Sequence, residues 1–110
     1  MTDINFKSEN PLGDCSGILF GNLGIARKGL IVLQEWWGIT DEIKRQGKQF
    51  AEQGPFITLV PDLYRGKVTE DYETAGHMMN TLDWTGAVAD VKGAAQYLLS
   101  IGCTKNVVIC

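Results

Sequence analysis

No apolar stretch in this sequence approaches the ~20 residues that a membrane-spanning helix needs, so a membrane is not an expected partner. Basic runs are missing too. Ten lysines and arginines stand against thirteen acidic residues, for a net charge of −3, which argues against nucleic acid as a partner. The start, Met1-Thr2-Asp3-Ile4, has neither the cationic region nor the apolar core of a secretory signal. Cysteine is scarce and odd in number: Cys15, Cys103 and Cys110 read as reduced thiols of a cytoplasmic protein. With one histidine, His77, and no Cys-x-x-Cys pair, no metal site is expected. Internal repeats, low-complexity tracts and linkers are absent as well. The remaining composition, 45% hydrophobic and 21% charged over 110 residues, fits one globular domain.

What the sequence does have is an apolar run that ends abruptly in an acid. Leu30-Ile31-Val32-Leu33 leads straight into Gln34-Glu35-Trp36-Trp37-Gly38. A short continuous apolar run predicts a strand buried on both faces, as in a parallel sheet. Such a strand has no place for a charge, so Glu35 belongs at or just past its carboxyl end. In open α/β sheets that edge is where ligands bind, and an acid set between aromatics there is suited to proton chemistry. The alternative is a loop glutamate with Trp36 and Trp37 packed as lids on the core.

Around that strand the pattern predicts an alternation of strands and helices. Residues 1–16 are expected to be an irregular lead-in, being polar as far as Asp14 with Pro11 and Gly13 as breakers; the domain runs over 17–110. Gly17 to Phe20 is a short strand candidate, Gly21-Asn22 a turn, and Gly24 to Gly29 a polar connector. Gly21 and Gly24 do not complete a dinucleotide-binding glycine pattern. Ile39, Ile43, Gly47 and Phe50 fall at helical spacing, with Thr40 as cap and Gly54-Pro55 as stop. Phe56 to Val60 is a second buried strand, closed by Pro61-Asp62. Strand, helix, strand over this distance predicts a βαβ unit with parallel strands, which brings Glu35 and Asp62 to one edge. A loop from Leu63 to Val68 carries Tyr64, Arg65 and Lys67. A second helical pattern begins at Thr69, with Tyr72, Ala75, Met79 and Leu82 on one face. Thr85 is the expected cap of a third helix with Val88, Val91, Ala95, Leu98 and Leu99 as its stripe and Gly102 as its end. Val107 to Cys110 is a third buried parallel strand.

Three blocks now stand in order: Gln34-Glu35-Trp36-Trp37-Gly38, Pro61-Asp62-Leu63-Tyr64-Arg65-Gly66-Lys67, and Leu82-Asp83-Trp84-Thr85-Gly86-Ala87-Val88. They resemble the dienelactone hydrolases (carboxymethylenebutenolidase-like proteins), from about Gly17 to Cys110. The resemblance implies an α/β-hydrolase fold, a mostly parallel sheet with flanking helices. It also implies hydrolysis of esters or lactones by a Cys-His-Asp triad without metal or cofactor. It assigns Glu35 to contact with the nucleophilic thiol, controlling its ionisation. The backbone N–H of Trp36 becomes half of an oxyanion hole. Trp37 and Trp84 become pocket walls, and the strand-end position makes Tyr64 and Arg65 candidate substrate contacts. Some members hold a substrate carboxylate with an arginine on the helix after the second block. Asp71 to His77 carries none here, so the expected partner is a small-molecule ester or lactone of unassigned identity.

The resemblance also implies a Gly-x-Cys-x-Gly-Gly elbow directly after the third strand, and the sequence stops before it. Cys110 lies on the strand, about three residues short of that turn, and reads as a buried small hydrophobe. His77 precedes the nucleophile, the wrong chain order for a triad base. The expectation is therefore a domain truncated before its nucleophile. A non-catalytic α/β binding or interaction protein lacking the triad is the alternative. A flavodoxin-like binder would need a phosphate-cradling glycine loop where the bulky, acidic Glu35-Trp36-Trp37 stands.

Overall fold

A computed structural model describes residues 1–21, 28–54 and 56–109. Its element order is β1 (Thr2–Phe6), β2 (Cys15–Phe20), β3 (Lys28–Val32), α1 (Asp41–Gln53), β4 (Phe56–Pro61), α2 (Tyr72–Asn80), α3 (Trp84–Ser100) and β5 (Lys105–Ile109). The strands form one five-stranded sheet in the order β1-β2-β4-β3-β5. β3 pairs in parallel with both β4 and β5, while β2 runs antiparallel to β1 and β4. The expected parallel strands are thus joined at one side by an antiparallel pair.

Period-two alternation sorts the strand side chains onto two faces. Phe6, Cys15, Leu19, Ile31, Ile57 and Leu59 pack under Ala94 and Leu98 of α3. Ile18, Phe20, Leu30, Val32 and Val60 pack on the other face with Ile39 and Ile43, at and within α1. β3 and β4 are covered on both faces, which is why they read as unbroken apolar runs. α1 starts where the Thr40 side chain accepts the Ile43 N–H, with Asp41 and Glu42 in its first turn.

Four expectations need correction. Residues 1–16 are not an irregular lead-in throughout: Thr2–Phe6 pairs with β2 in the register Phe6↔Cys15 to Thr2↔Leu19. Its alternation of polar Asp3 and Asn5 with inward Ile4 and Phe6 suits an edge strand that buries one face. α2 begins at Tyr72, capped by Asp71, whose carboxylate accepts the Thr74 N–H at 2.9 Å, rather than at Thr69. α3 begins one residue before the expected cap: Asp83 occupies the cap position and Thr85 lies in the first turn. β5 is parallel as expected but not buried, with Val107 55% and Val108 45% exposed, because it has β3 on one side and is the sheet's edge on the other. The turn at Gly21-Asn22, the connector as far as Arg27, the Pro55 stop and the Cys110 strand residue lie wholly or partly outside the described residues.

Candidate active site

β3 and β4 end on the same edge of the sheet, and the chain ties their ends together. The Leu33 N–H donates to the Ile109 carbonyl at 2.9 Å, carrying the β3–β5 pairing one residue beyond Val32. The side-chain oxygen of Gln34 accepts the Leu63 N–H at 2.8 Å, joining the β3 end to the loop after β4. Then the backbone turns back on itself. The Gly38 N–H donates to the Glu35 carbonyl at 3.0 Å, with Trp36 and Trp37 at the corners. Gly38 has φ +95°, a conformation that disfavours a side chain, and a Cβ there would collide with the Lys67 carbonyl oxygen. Glycine is required on both counts.

Glu35 stands exposed at this turn and has no ion pair among the described residues. The Trp36 N–H has no hydrogen-bond acceptor among the described residues. Trp36 and Trp37 are half-buried, with ring centroids 5.0 Å apart, and Tyr72 of α2 closes the cluster at 5.9 and 5.1 Å. Such tilted pairs contribute about 0.5–1.5 kcal/mol each beyond area burial. The Thr69 N–H donates to the Trp37 carbonyl at 3.0 Å, so the loop after β4 also grips the turn. Beside it, a cavity of about 260 Å³ opens between Ser16, Ile18, Ile39, Lys44, Asp62 and Val68.

The two loop residues expected to meet substrate are engaged elsewhere. The Arg65 guanidinium grips Asp90 of α3 with two parallel bonds, Nη1 to Oδ2 at 2.8 Å and Nη2 to Oδ1 at 2.9 Å. Its remaining contacts are the carbonyls of Gly13 and Asp62 and the Cys15 sulfur. A ligand carboxylate would have to displace Asp90 from it. Tyr64 is buried, 9% exposed, and burial pushes its phenol up. Trp84 is 57% exposed at the start of α3, and no ring contact joins it to the Trp36–Trp37–Tyr72 cluster among the described residues. The structure thus brings Glu35, Trp36 and Trp37 together and leaves Tyr64, Arg65 and Trp84 outside that group.

Asp90 is the residue that sequence reasoning missed. It has no exposed surface, and besides Arg65 it accepts from Ser8 Oγ at 2.6 Å and Asn10 Nδ2 at 3.1 Å. The signal was its register: Ala87, Asp90 and Ala94 share the inward face of α3, so this acid had to be buried and paired. The close approach is made by glycine, since a Cβ on Gly93 would strike the Lys7 carbonyl oxygen. Asp62 neighbours this network. Its carboxylate accepts the Tyr64 N–H at 3.2 Å and the Gly66 N–H at 2.8 Å, yet burial holds its pKa above the usual aspartate value. Among the described residues no cluster of three or more histidines, cysteines and carboxylates could hold a metal ion.

The family model of the dienelactone hydrolases matches residues 16–110. Protein usf of Aquifex pyrophilus is 37% identical over 57 residues, a stretch covering 49% of this chain and 24% of that protein. Two solved structures superpose on all or nearly all of the chain. One is a provisionally assigned dienelactone hydrolase of Klebsiella pneumoniae, with TM-score 0.73, 19% identity, and coverage of 100% of this chain and 51% of the other. The second is a dienelactone hydrolase-like promiscuous phosphotriesterase from metagenomic libraries, with TM-score 0.75, 18% identity, and coverage of 97% and 47%. The chain spans about half the length of these solved chains and a quarter of Protein usf. The architecture is the α/β-hydrolase fold, truncated relative to its full form. With the family model matched over nearly all of its residues, the chain belongs to the dienelactone hydrolase family.

Proposed function

We propose that the protein carrying this chain hydrolyses a carboxylic ester or lactone through a cysteine thiol supplied just after β5. The observation that carries this reading is the Glu35–Gly38 turn. It offers a backbone N–H without an acceptor among the described residues, and an exposed carboxylate, at the carboxyl end of β3 and beside the end of β5.

In this reading the thiolate attacks the carbonyl carbon of the substrate. The carbonyl oxygen takes the negative charge and is held by the Trp36 N–H together with the N–H that follows the nucleophile. Collapse of this intermediate breaks the carbon–oxygen bond to the leaving group, which takes the proton of the histidinium paired with the thiolate and departs as an alcohol or, for a lactone, as a hydroxyl on the same molecule. A thioester remains on the enzyme. Water, deprotonated by a histidine base, attacks that thioester, and the acid product leaves with the thiolate restored. Glu35 contacts the thiol and governs how much of it is ionised before substrate arrives. Trp37 and Trp84 wall the pocket. No metal or cofactor takes part. The nucleophile and its base are not among Met1 to Cys110, so these residues alone turn over no ester.

The test is esterase assay of the protein at its natural length, with p-nitrophenyl acetate and a simple lactone. Turnover that iodoacetamide abolishes, with an acyl adduct on one cysteine by mass spectrometry, is the expected result. Replacing Glu35 by glutamine should shift the pH dependence of iodoacetamide inactivation. A folded protein that turns over neither compound and forms no adduct would favour the non-catalytic binding protein instead.

A further inference from the structure

No step of the proposed reaction uses Asp90, yet the chain buries its charge completely and gives it four hydrogen-bond donors. Taking an ion pair out of water costs several kcal/mol per ion, and a well-packed apolar pair often serves stability as well or better. A buried pair of this kind is therefore weak evidence for a role in stability alone. What it does geometrically is hold Arg65, a residue with φ +54°, at a fixed place in the loop after β4.

That loop runs to the proposed oxyanion turn. Arg65 is fixed on α3 by Asp90, and its Nη2 also donates to the Gly13 carbonyl at 3.1 Å. Asp62 stiffens the intervening stretch through the Tyr64 and Gly66 N–H groups. Lys67 and Val68 then press on Gly38 with no room for a Cβ, and the Thr69 N–H holds the Trp37 carbonyl. An interaction on α3 is thus joined by a short run of well-bonded backbone to the Trp37–Gly38 peptide unit, whose N–H in turn holds the Glu35 carbonyl, part of the same peptide unit as the Trp36 N–H. We infer that Arg65 and Asp90 are a positioning pair, which sets the Glu35–Gly38 turn through the loop after β4 and so aims the Trp36 N–H. The kinetic part of this inference rests on the proposed hydrolase reading; the structural part does not.

The experiment uses the protein at its natural length and two variants. Arg65→Met combined with Asp90→Leu removes both charges, and Arg65→Lys keeps the charge but loses the two-point grip. Amide hydrogen exchange is followed at Gly38 and Thr69, with the β4 amides as an internal reference. Ester turnover is measured alongside. The double variant is expected to exchange at least about tenfold faster at Gly38 and Thr69, with β4 unchanged. Its kcat should fall by roughly 10- to 100-fold with KM nearly constant, since a misplacement of ~1 Å can cost on the order of 100-fold. Arg65→Lys should show the same pattern at smaller amplitude, and it decides the matter if the double variant does not fold. Unchanged exchange at both amides in a folded variant overturns the inference, as does faster exchange spread evenly over β4, or unaltered kcat in an active protein. If the parent protein proves to have no esterase activity, the hydrolase reading fails while the exchange comparison still decides the pair's positioning role.

Discussion

Cys15 should be one of the least reactive thiols in the protein, and its chemistry can be worked out from its surroundings. It opens β2 with no exposed surface, packed in the cluster with Phe6 and Leu59. Its sulfur lies 3.3 Å from the Ser16 carbonyl oxygen and 3.4 Å from that of Asp62, both acceptors for a neutral S–H. Burial first, and then the Asp90 carboxylate, push its pKa from 9.0 up to about 12, against the opposing pull of Arg65. At pH 8 the ionised fraction is then on the order of one in ten thousand. Such a thiol cannot serve as an acyl acceptor near neutrality. The sign of the linked stability follows: the folded pKa lies above the unfolded one, so the contribution is intact below pH 9. It is lost as pH rises from 9 towards about 12, at about 1.4 kcal/mol per pH unit and roughly 4 kcal/mol in all. The assay is urea unfolding from pH 7 to 10.5 for the parent and Cys15→Ala, with thiol titration by a chromogenic disulfide at pH 8. The parent should lose about 2 kcal/mol more than the variant between pH 9 and 10.5. Cys15 should react at least about a thousandfold faster in urea than in the native state. Rapid native labelling of Cys15, or parallel pH profiles for the two proteins, would refute the reasoning and make Cys15 a candidate nucleophile.

Gly38→Ala should destabilise the protein by at least about 1–2 kcal/mol from its φ of +95° alone, with the collision at Lys67 adding to that; urea unfolding reads the change, and esterase assay should show a fall in kcat. Thr40→Ala removes the α1 cap and should cost about 0.5–1 kcal/mol by the same unfolding measurement, the low end because the Thr40–Ile43 bond is 3.4 Å long. Residues Met1 to Cys110 expressed alone should oligomerise or aggregate through β5, an edge strand with Val107 and Val108 in the open. Light scattering that shows a soluble monomer with one cooperative unfolding transition would contradict this. Val108→Lys should lower the scattering if the edge is responsible.

The parts of the fold legible in the sequence are those written in short-range pattern. Ile31 and Leu59 face α3, while Leu30 and Val60 face α1, so both strands are apolar at every position and stand out as runs. The parallel pairing of β3 with β4 followed from the helix between them, and the placing of Glu35 beyond the strand end followed from the cost of burying its charge. β1 was not legible in the same way. Thr2-Asp3-Ile4-Asn5-Phe6 gives one face to solvent, and five residues of alternating polarity look the same as a polar lead-in until their partner strand is known. β5 reads as a strand from Val107-Val108-Ile109, but whether a strand is buried depends on which elements lie beside it, and here β3 is on one side and the sheet's edge on the other. Composition of the strand alone cannot report them.

The Arg65–Asp90 pair marks where pattern reading stops and pairwise chemistry has to begin. An arginine at a strand end looks like a ligand contact, because that edge is where α/β sheets bind their ligands. The opposing constraint sits 25 positions later: Asp90 falls in the inward register of α3, and a buried carboxylate must find a cation or stay protonated. Ser8 and Asn10, 82 and 80 positions away, complete its shell from the segment between β1 and β2. No window of local sequence contains these four residues together. What a sequence does contain is the requirement that a buried acid creates, and the loop after β4, the second of the three blocks of the family resemblance, carries the arginine that meets it. The same step separates the two roles at this edge. Glu35, with the Trp36 N–H beside it, has no ion pair among the described residues, while the Arg65 guanidinium is already matched to Asp90.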